Sequence, residues 1–170
     1  MRGLDIPFEV RTKATDETYP KNLDAREVPE YIANLKADAF TDLKEEDILV
    51  TADTMVIADG KIFGKPHTKE EATEMLKTLQ DRTHIVVTGV SIRKGKQRVS
   101  FSDTTKVHFS PLTDKEIESY IERYKPFDKA GAYGVQEWIG YVAVDRLEGS
   151  YFNVVGLPIH RVYQELKELI

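Results

Sequence analysis

Two long stretches of alternating residues, THIVVTGVSIR and RVSFSDTTKVHF, face each other across a short segment around Gly95. No other feature constrains the fold as much. In the second stretch Val99, Phe101, Thr105, Val107 and Phe109 fall on one face, because successive strand side chains point to opposite sides of a sheet. Two such strands joined by a turn make a hairpin, which is an antiparallel pair. The hairpin therefore argues against a purely parallel, doubly wound sheet.

Helical signals surround it. EVPEYIANLKADAF places Val28, Tyr31, Ile32, Leu35 and Ala39 at helical spacing, with Pro29 suited to the first turn. Thr68 with Glu71 and Thr113 with Glu116 read as capping boxes. The helices they open have apolar faces of Ala72, Met75, Leu76 and Leu79, and of Ile117, Tyr120, Ile121 and Tyr124. A last helix after GSYFNVVGLP turns Ile159, Val162, Tyr163 and Leu166 inward. PFEVRT predicts a short strand, residues 48 to 58 a buried one, and WIGYVAVDRL another after the glycine-bearing loop KPFDKAGAYGVQE. Repeats, linkers and low-complexity tracts are absent from the sequence. The expectation is one α/β domain over residues 1–170 with a mixed, twisted sheet, single or pinched into two lobes.

Composition narrows the function. The chain has no cysteine, which removes disulfides, thiolate metal sites and cysteine nucleophiles and suits a reducing cytoplasm. A net charge of −5 speaks against nucleic acid as partner but not against a small anionic ligand, for which a few local lysines suffice. No apolar run approaches the roughly 18 residues of a membrane span. The four histidines lie in no metal-ligand spacing, and neither a Walker A pattern nor a dinucleotide-binding glycine motif occurs.

The chemistry-bearing residues cluster in TADTMVIADGKIFGKP. Asp53 interrupts an apolar run. A carboxylate there is either a strand-end aspartate satisfied by loop amides or a general base or metal ligand in a place where its pKa is tuned. Lys65 lies between Gly64, which permits close backbone approach, and Pro66, which stiffens the exit. It is either a solvated loop lysine or a phosphate contact. Glu17 alone is a solvated carboxylate; with Asp53 it makes a pair able to hold magnesium, which takes oxygen ligands and bridges phosphates. Lys36 sits at the edge of a helical apolar face. In DKAGAYGVQE the glycines suit a backbone-lined pocket wall, and the Gln136 amide offers a donor and an acceptor to a pyrimidine edge.

The ordered blocks DETYP, IANLKADAF, TADTMVIADGKIFGKP, EATEMLKTLQDRTHIVVTGV, TTKVHFSPLTDKEIESYI, DKAGAYGVQ and GSYFNVVGLP, running from about Gly3 to the C-terminus, resemble the Maf family of nucleotide pyrophosphatases, also called septum-formation inhibitors. The resemblance implies a two-lobed α/β domain around an elongated mixed sheet, similar to inosine-triphosphatase architecture, with the site in the cleft. It implies hydrolysis of a nucleoside triphosphate to the monophosphate and pyrophosphate with a divalent cation, Mg2+ or Mn2+, by a homodimer. Asp53 falls on the family's catalytic aspartate, Lys36 and Lys65 on phosphate-contacting lysines, and Glu17 on an acidic residue of the site. Thr54 and Gln136 match the branch acting on dTTP and UTP rather than the sister branch acting on 7-methyl-GTP. The alternative function is a nucleotide-binding regulator of septum formation without turnover.

Family members open with a strand and a loop of pattern S-x-S-P-R-R that grips the triphosphate. This sequence starts at MRGLDIPFEV, and its only Ser-Pro is Ser110-Pro111, in another block. The resemblance therefore implies a missing N-terminal strand and missing phosphate contacts in the 170-residue chain.

Overall fold

A computed structural model describes residues 1–169. In chain order it contains helix α1 (Val28–Asp38), strands β1 (Ile48–Ala58) and β2 (Lys61–Phe63), and helix α2 (Lys69–Leu79). Strands β3 (Thr83–Lys94) and β4 (Gln97–Phe109) and helices α3 (Asp114–Tyr124) and α4 (Trp138–Val142) follow. Strand β5 (Val144–Glu148) and helices α5 (Tyr151–Val155) and α6 (Ile159–Leu169) complete it.

The expected hairpin forms the centre of the sheet: β3 and β4 pair from Thr83↔His108 to Lys94↔Gln97. The strand order is β2-β1-β3-β4-β5, and all four pairings are antiparallel. The α/β architecture is the expected one, but neighbouring strands do not run in mixed directions. The reason is topological. The β2-α2-β3 connection joins two strands that run the same way, and β1 lies between them.

The sheet is covered on both faces. On one face α1 contacts β1, β3 and β4; Thr51 Oγ1 donates to the Ala33 carbonyl at 2.7 Å, and Ser100 Oγ donates to Asn34 Oδ1 at 2.7 Å. Gly89 on β3 admits this helix: a Cβ there would lie 2.1 Å from the Glu30 backbone nitrogen. The opposite face carries two apolar clusters. One joins Val56, Ala58, Val86, Val107 and Phe109 to α2, α3 and the segment 132–143. The other joins Val90, Ile92 and Phe101 to Val162 and Leu166 of α6, with Ile48, Val50 and Ala52 packed against it. Asp53 and Thr54 fall between the β1 residues of the two clusters.

Four local expectations are corrected. PFEVRT is not a strand: Phe8 and Val10 are 45% and 78% exposed, and two alternating apolar residues without a pairing partner bury too little to hold one. In WIGYVAVDRL only Val144–Glu148 is strand, and Trp138–Val142 is helical. There Ile139 is buried and Gly140 packs on the Val135 carbonyl, while Tyr141 is 84% exposed. Thr113 and Glu116 form the full capping box, but at α2 only half of one exists. Thr68 Oγ1 accepts from the Glu71 N–H at 3.1 Å, whereas the Glu71 carboxylate accepts from the His67 N–H at 2.7 Å. Helix faces also end sooner than their spacing suggests, since Tyr124 and Tyr163 are each 41% exposed.

One core group carries a pH signature. His84 is buried against the edges of Phe109 and Tyr133, with Nε2 at 2.7 Å from Tyr133 Oη and Nδ1 without a partner among the described residues. Burial, with a smaller contribution from the charge of His108, pushes its pKa from 6.5 down to about 4. The folded chain therefore binds fewer protons at this group than the unfolded chain between those values. Its contribution is intact above pH 6.5 and is lost as pH falls through about 4, a change of about 3 kcal/mol. Urea unfolding between pH 7 and 4 checks this. His84→Phe should lose stability less steeply than wild type over that window, and parallel curves would contradict the assignment.

Candidate active site

Asp53 is held at an open stretch of β1. Strand β2 pairs only with Val56–Ala58, so residues 48–55 have β3 on one side and no strand on the other among the described residues. A cavity of about 400 Å3 opens there. Its walls come from Ala52, Asp53, Thr54 and Val56 of β1, Lys65 after β2, the loop before α4, and the end of α5.

The Asp53 carboxylate, 14% exposed, lies on the α1 side of the sheet. Lys36, from the last turn of α1, donates to Asp53 Oδ1 at 2.7 Å and to the Ala52 carbonyl at 3.4 Å, and stands 3.2 Å from Glu17 Oε1. One ammonium thus joins two carboxylates that are 36 residues apart in the sequence. Burial raises the Asp53 pKa above its ordinary value, and the bond to Lys36 offsets only part of that rise. Burial pulls the Lys36 ammonium down, but the bond to and charge of Asp53, with a smaller contribution from Glu17, outweigh it, so its pKa is raised.

Thr54 points to the other face, as strand alternation requires. Its hydroxyl lies 2.8 Å from Thr88 Oγ1 and 3.4 Å from the Gly156 carbonyl. Thr88 donates to the Asn153 carbonyl at 3.0 Å. Asn153 is fully buried, and its Nδ2 donates to the Val86 carbonyl at 3.1 Å and to Thr105 Oγ1 at 3.0 Å. These bonds tie α5, and with it the wall formed by Val154, Val155 and Gly156, to the sheet.

The opposite wall is the loop 128–137. The Gly131 N–H donates to the Gly64 carbonyl at 3.1 Å, joining this loop to the one that carries Lys65. Gly131 has φ +68 and packs on the Val56 side chain, a conformation and a closeness that suit glycine alone. Gln136 is exposed on the cavity wall, and its amide makes no hydrogen bond among the described residues.

The structure thus brings Asp53, Thr54, Lys65 and Gln136 to one cavity, while Lys36 and Glu17 reach it through the ion pairs around Asp53. Asp128, Lys129 and residues 154–156 also line it; the sequence marked the first two only as part of the DKAGAYGVQE segment and gave the last three no individual role. GSYFNVVGLP showed no charge or spacing that marks a site. Its role comes from the turn of α5, capped by the Ser150 side chain, which accepts from the Asn153 N–H at 3.3 Å.

A mostly buried carboxylate, lysines on neighbouring elements and an unengaged amide make a site suited to a small anionic ligand with a polar edge to read. The chain belongs to the Maf-like protein family, whose profile matches residues 1–169. The dTTP/UTP pyrophosphatase of Porphyromonas gingivalis strain ATCC 33277 is 51% identical over 172 residues, covering 99% of this chain and 86% of its own length. That of Parabacteroides distasonis is 48% identical, covering 98% of this chain and 88% of its own length. That of Flavobacterium johnsoniae is also 48% identical, covering 99% and 88%.

Proposed function

We propose that this chain is a nucleoside triphosphate pyrophosphatase acting on dTTP and UTP. Identity near 50% to relatives of that name, over almost the whole chain, carries the reading. The cavity supports it. It combines a carboxylate shielded from bulk water with lysines for a polyphosphate and Gln136 for the base. In this reading the chain is one domain of two lobes, following the two apolar clusters, with the site in the cleft.

The reaction needs a water to attack the α-phosphorus. The new P–O bond forms as the bridging bond to the β-phosphate breaks, and pyrophosphate leaves with the bonding pair. Asp53 accepts the water's proton. Its neighbours limit solvent, and its raised pKa makes it a better base than an exposed aspartate. Lys65 holds phosphate from the Gly64–Pro66 segment. Lys36 keeps the Asp53 carboxylate oriented, and its charge lies where a phosphate oxygen can share it.

Glu17 and Asp53 already surround one positive charge, that of Lys36, so their oxygens also fit a hard divalent cation. Among the described residues no cluster of three or more acidic or histidine ligands exists, so a cation at this pair would need further oxygen ligands from outside the protein. Bound there, Mg2+ or Mn2+ supplies charge neutralisation for the leaving pyrophosphate. Glu17 and Asp53 would hold it.

The reading also places the protein in the cytoplasm, as a homodimer with no nucleic-acid or membrane partner. The absence of cysteine supports the compartment. Among the described residues no helix is long and apolar enough to cross a membrane. Exposed Tyr141, Val142 and Phe152 offer apolar surface to a second copy.

Pyrophosphate release from dTTP, UTP, CTP, ATP and 7-methyl-GTP with magnesium or manganese tests the activity. Turnover of dTTP and UTP ahead of the others is expected. In Lys65→Ala, KM for dTTP should rise by about tenfold, the loss of one charge-assisted phosphate bond. Binding of dTTP without turnover would favour the regulatory alternative, and neither binding nor turnover would overturn the reading.

A further inference from the structure

The loop that carries Gln136 is fastened by three side chains outside the proposed chemistry. Tyr120, on α3, is 1% exposed. Its hydroxyl donates to Glu137 Oε2 and accepts from the Gly134 N–H at 3.1 Å. The other Glu137 oxygen lies 3.1 Å from Lys129 Nζ, which also donates to Asp128 Oδ1 at 3.0 Å. Glu137 therefore sits between a core tyrosine and a cavity lysine, immediately after Gln136 in the chain.

The packing leaves little freedom. A Cβ on Gly134 would lie 2.9 Å from Lys129 Cε and 3.0 Å from Glu137 Cδ, so both side chains lie close over Gly134. The ring of Tyr120 is fixed by stacking on Tyr124 at 5.1 Å and on Trp138 at 6.4 Å. Burial, with the bond to Glu137, raises the Tyr120 hydroxyl pKa far above its usual range, so it remains a donor throughout physiological pH.

We propose that Tyr120 and Glu137 are positioning residues that set base selection, by holding loop 128–137 so that Gln136 meets the nucleobase in one orientation. Neither touches the reacting phosphorus; both act through Gln136. The inference rests on the function proposed above and deepens it. A reader with several rotatable bonds discriminates between bases only when its backbone is fixed, because otherwise ordering it on binding cancels part of the gain. Core tyrosine, carboxylate and lysine supply that fixation from three directions.

The test compares Tyr120→Phe and Glu137→Gln with wild type, each alone and combined with Gln136→Ala. Two variants are used because Tyr120 is buried and its replacement leaves the Gly134 N–H unpaired. Steady-state kinetics on dTTP, UTP and CTP should show KM for dTTP raised by about tenfold in each single variant, with kcat changed much less. The preference over CTP should narrow. Adding Gln136→Ala to either variant should cost little more, because the residues act as one unit. Hydrogen exchange should be faster in residues 128–137 and unchanged in β3. If wild type turns over dTTP but both variants keep its KM and base preference, the inference fails and the function stands. Full additivity with Gln136→Ala would also overturn it, since a loss of folding alone does not depend on Gln136. Wild-type protein with no turnover would overturn the function and the inference together.

Discussion

Asp53→Asn is expected to lower pyrophosphate release by about a hundredfold to ten-thousandfold, the range for loss of a positioned general base. The protein should meanwhile stay folded. Asp53 is mostly buried, and burial is the main influence on its carboxyl, raising its pKa. The charged form is thus the costly one in this environment, and a neutral amide of the same shape removes that cost. Lys36 keeps Glu17 as a partner at 3.2 Å. Urea unfolding beside the rate measurement separates the two effects. Release at the wild-type rate by folded Asp53→Asn would remove Asp53 from the role of base. Loss of rate together with loss of folding would instead mean that the Lys36 pair is structural.

A large stability effect is expected at Gly89, where the clash is with the helix that carries Lys36. It stands opposite Asp53 on β1 and Ser102 on β4, and the first turn of α1 lies directly on it. A methyl group would meet the backbone of Glu30 at 2.1 Å and of Pro29 at 2.3 Å, and backbone in a helix cannot step aside as a side-chain tip can. Gly89→Ala must therefore lift α1 from the sheet. That disturbs Val28, Ile32 and Ala33, all fully buried, and should cost about 3 kcal/mol, the upper end for overpacking. Because α1 carries Lys36, activity should fall as well. Gly60→Ala is the comparison. Nothing lies within 4 Å of a Cβ there, and only the left-handed φ of +73 opposes the change, so about 1 kcal/mol is expected. An unchanged urea midpoint in Gly89→Ala would mean that α1 is not seated as described.

Much of this arrangement was legible in the sequence because local rules agreed with the tertiary ones. The β3–β4 hairpin followed from alternation around Gly95, and α1, α2 and α3 from apolar spacing and their first-turn residues. Opposite directions for Asp53 and Thr54 followed from strand geometry alone. Helical WIGYV was not legible, since Trp138, Ile139 and Val142 fit a strand as well as a helix. As a helix it buries Ile139 and lays Gly140 against the Val135 carbonyl, contacts that alternation does not report. The open strand read in PFEV failed because alternation predicts a strand only where a neighbour supplies hydrogen bonds.

The site was legible one residue at a time but not as an assembly. Asp53 was conspicuous as a charge in an apolar run, and Gln136 by its glycine-rich setting. That a single lysine, Lys36, holds both Asp53 and Glu17 depends on α1 crossing β1, and no spacing along the chain reports it. Tyr120 was legible only as part of a helix face. Its hydroxyl, which sits between Gly134 and Glu137, could not be foreseen from a periodicity that records burial and not what the buried atom touches.

Hydrolysis of dTTP in 18O-labelled water with magnesium, followed by mass analysis of both products, tests the proposed reaction most directly. Attack at the α-phosphorus predicts the label in the nucleoside monophosphate and unlabelled pyrophosphate, with the signal lost in Asp53→Asn. Release of labelled orthophosphate and nucleoside diphosphate would contradict it, because the water would then have attacked the terminal phosphate.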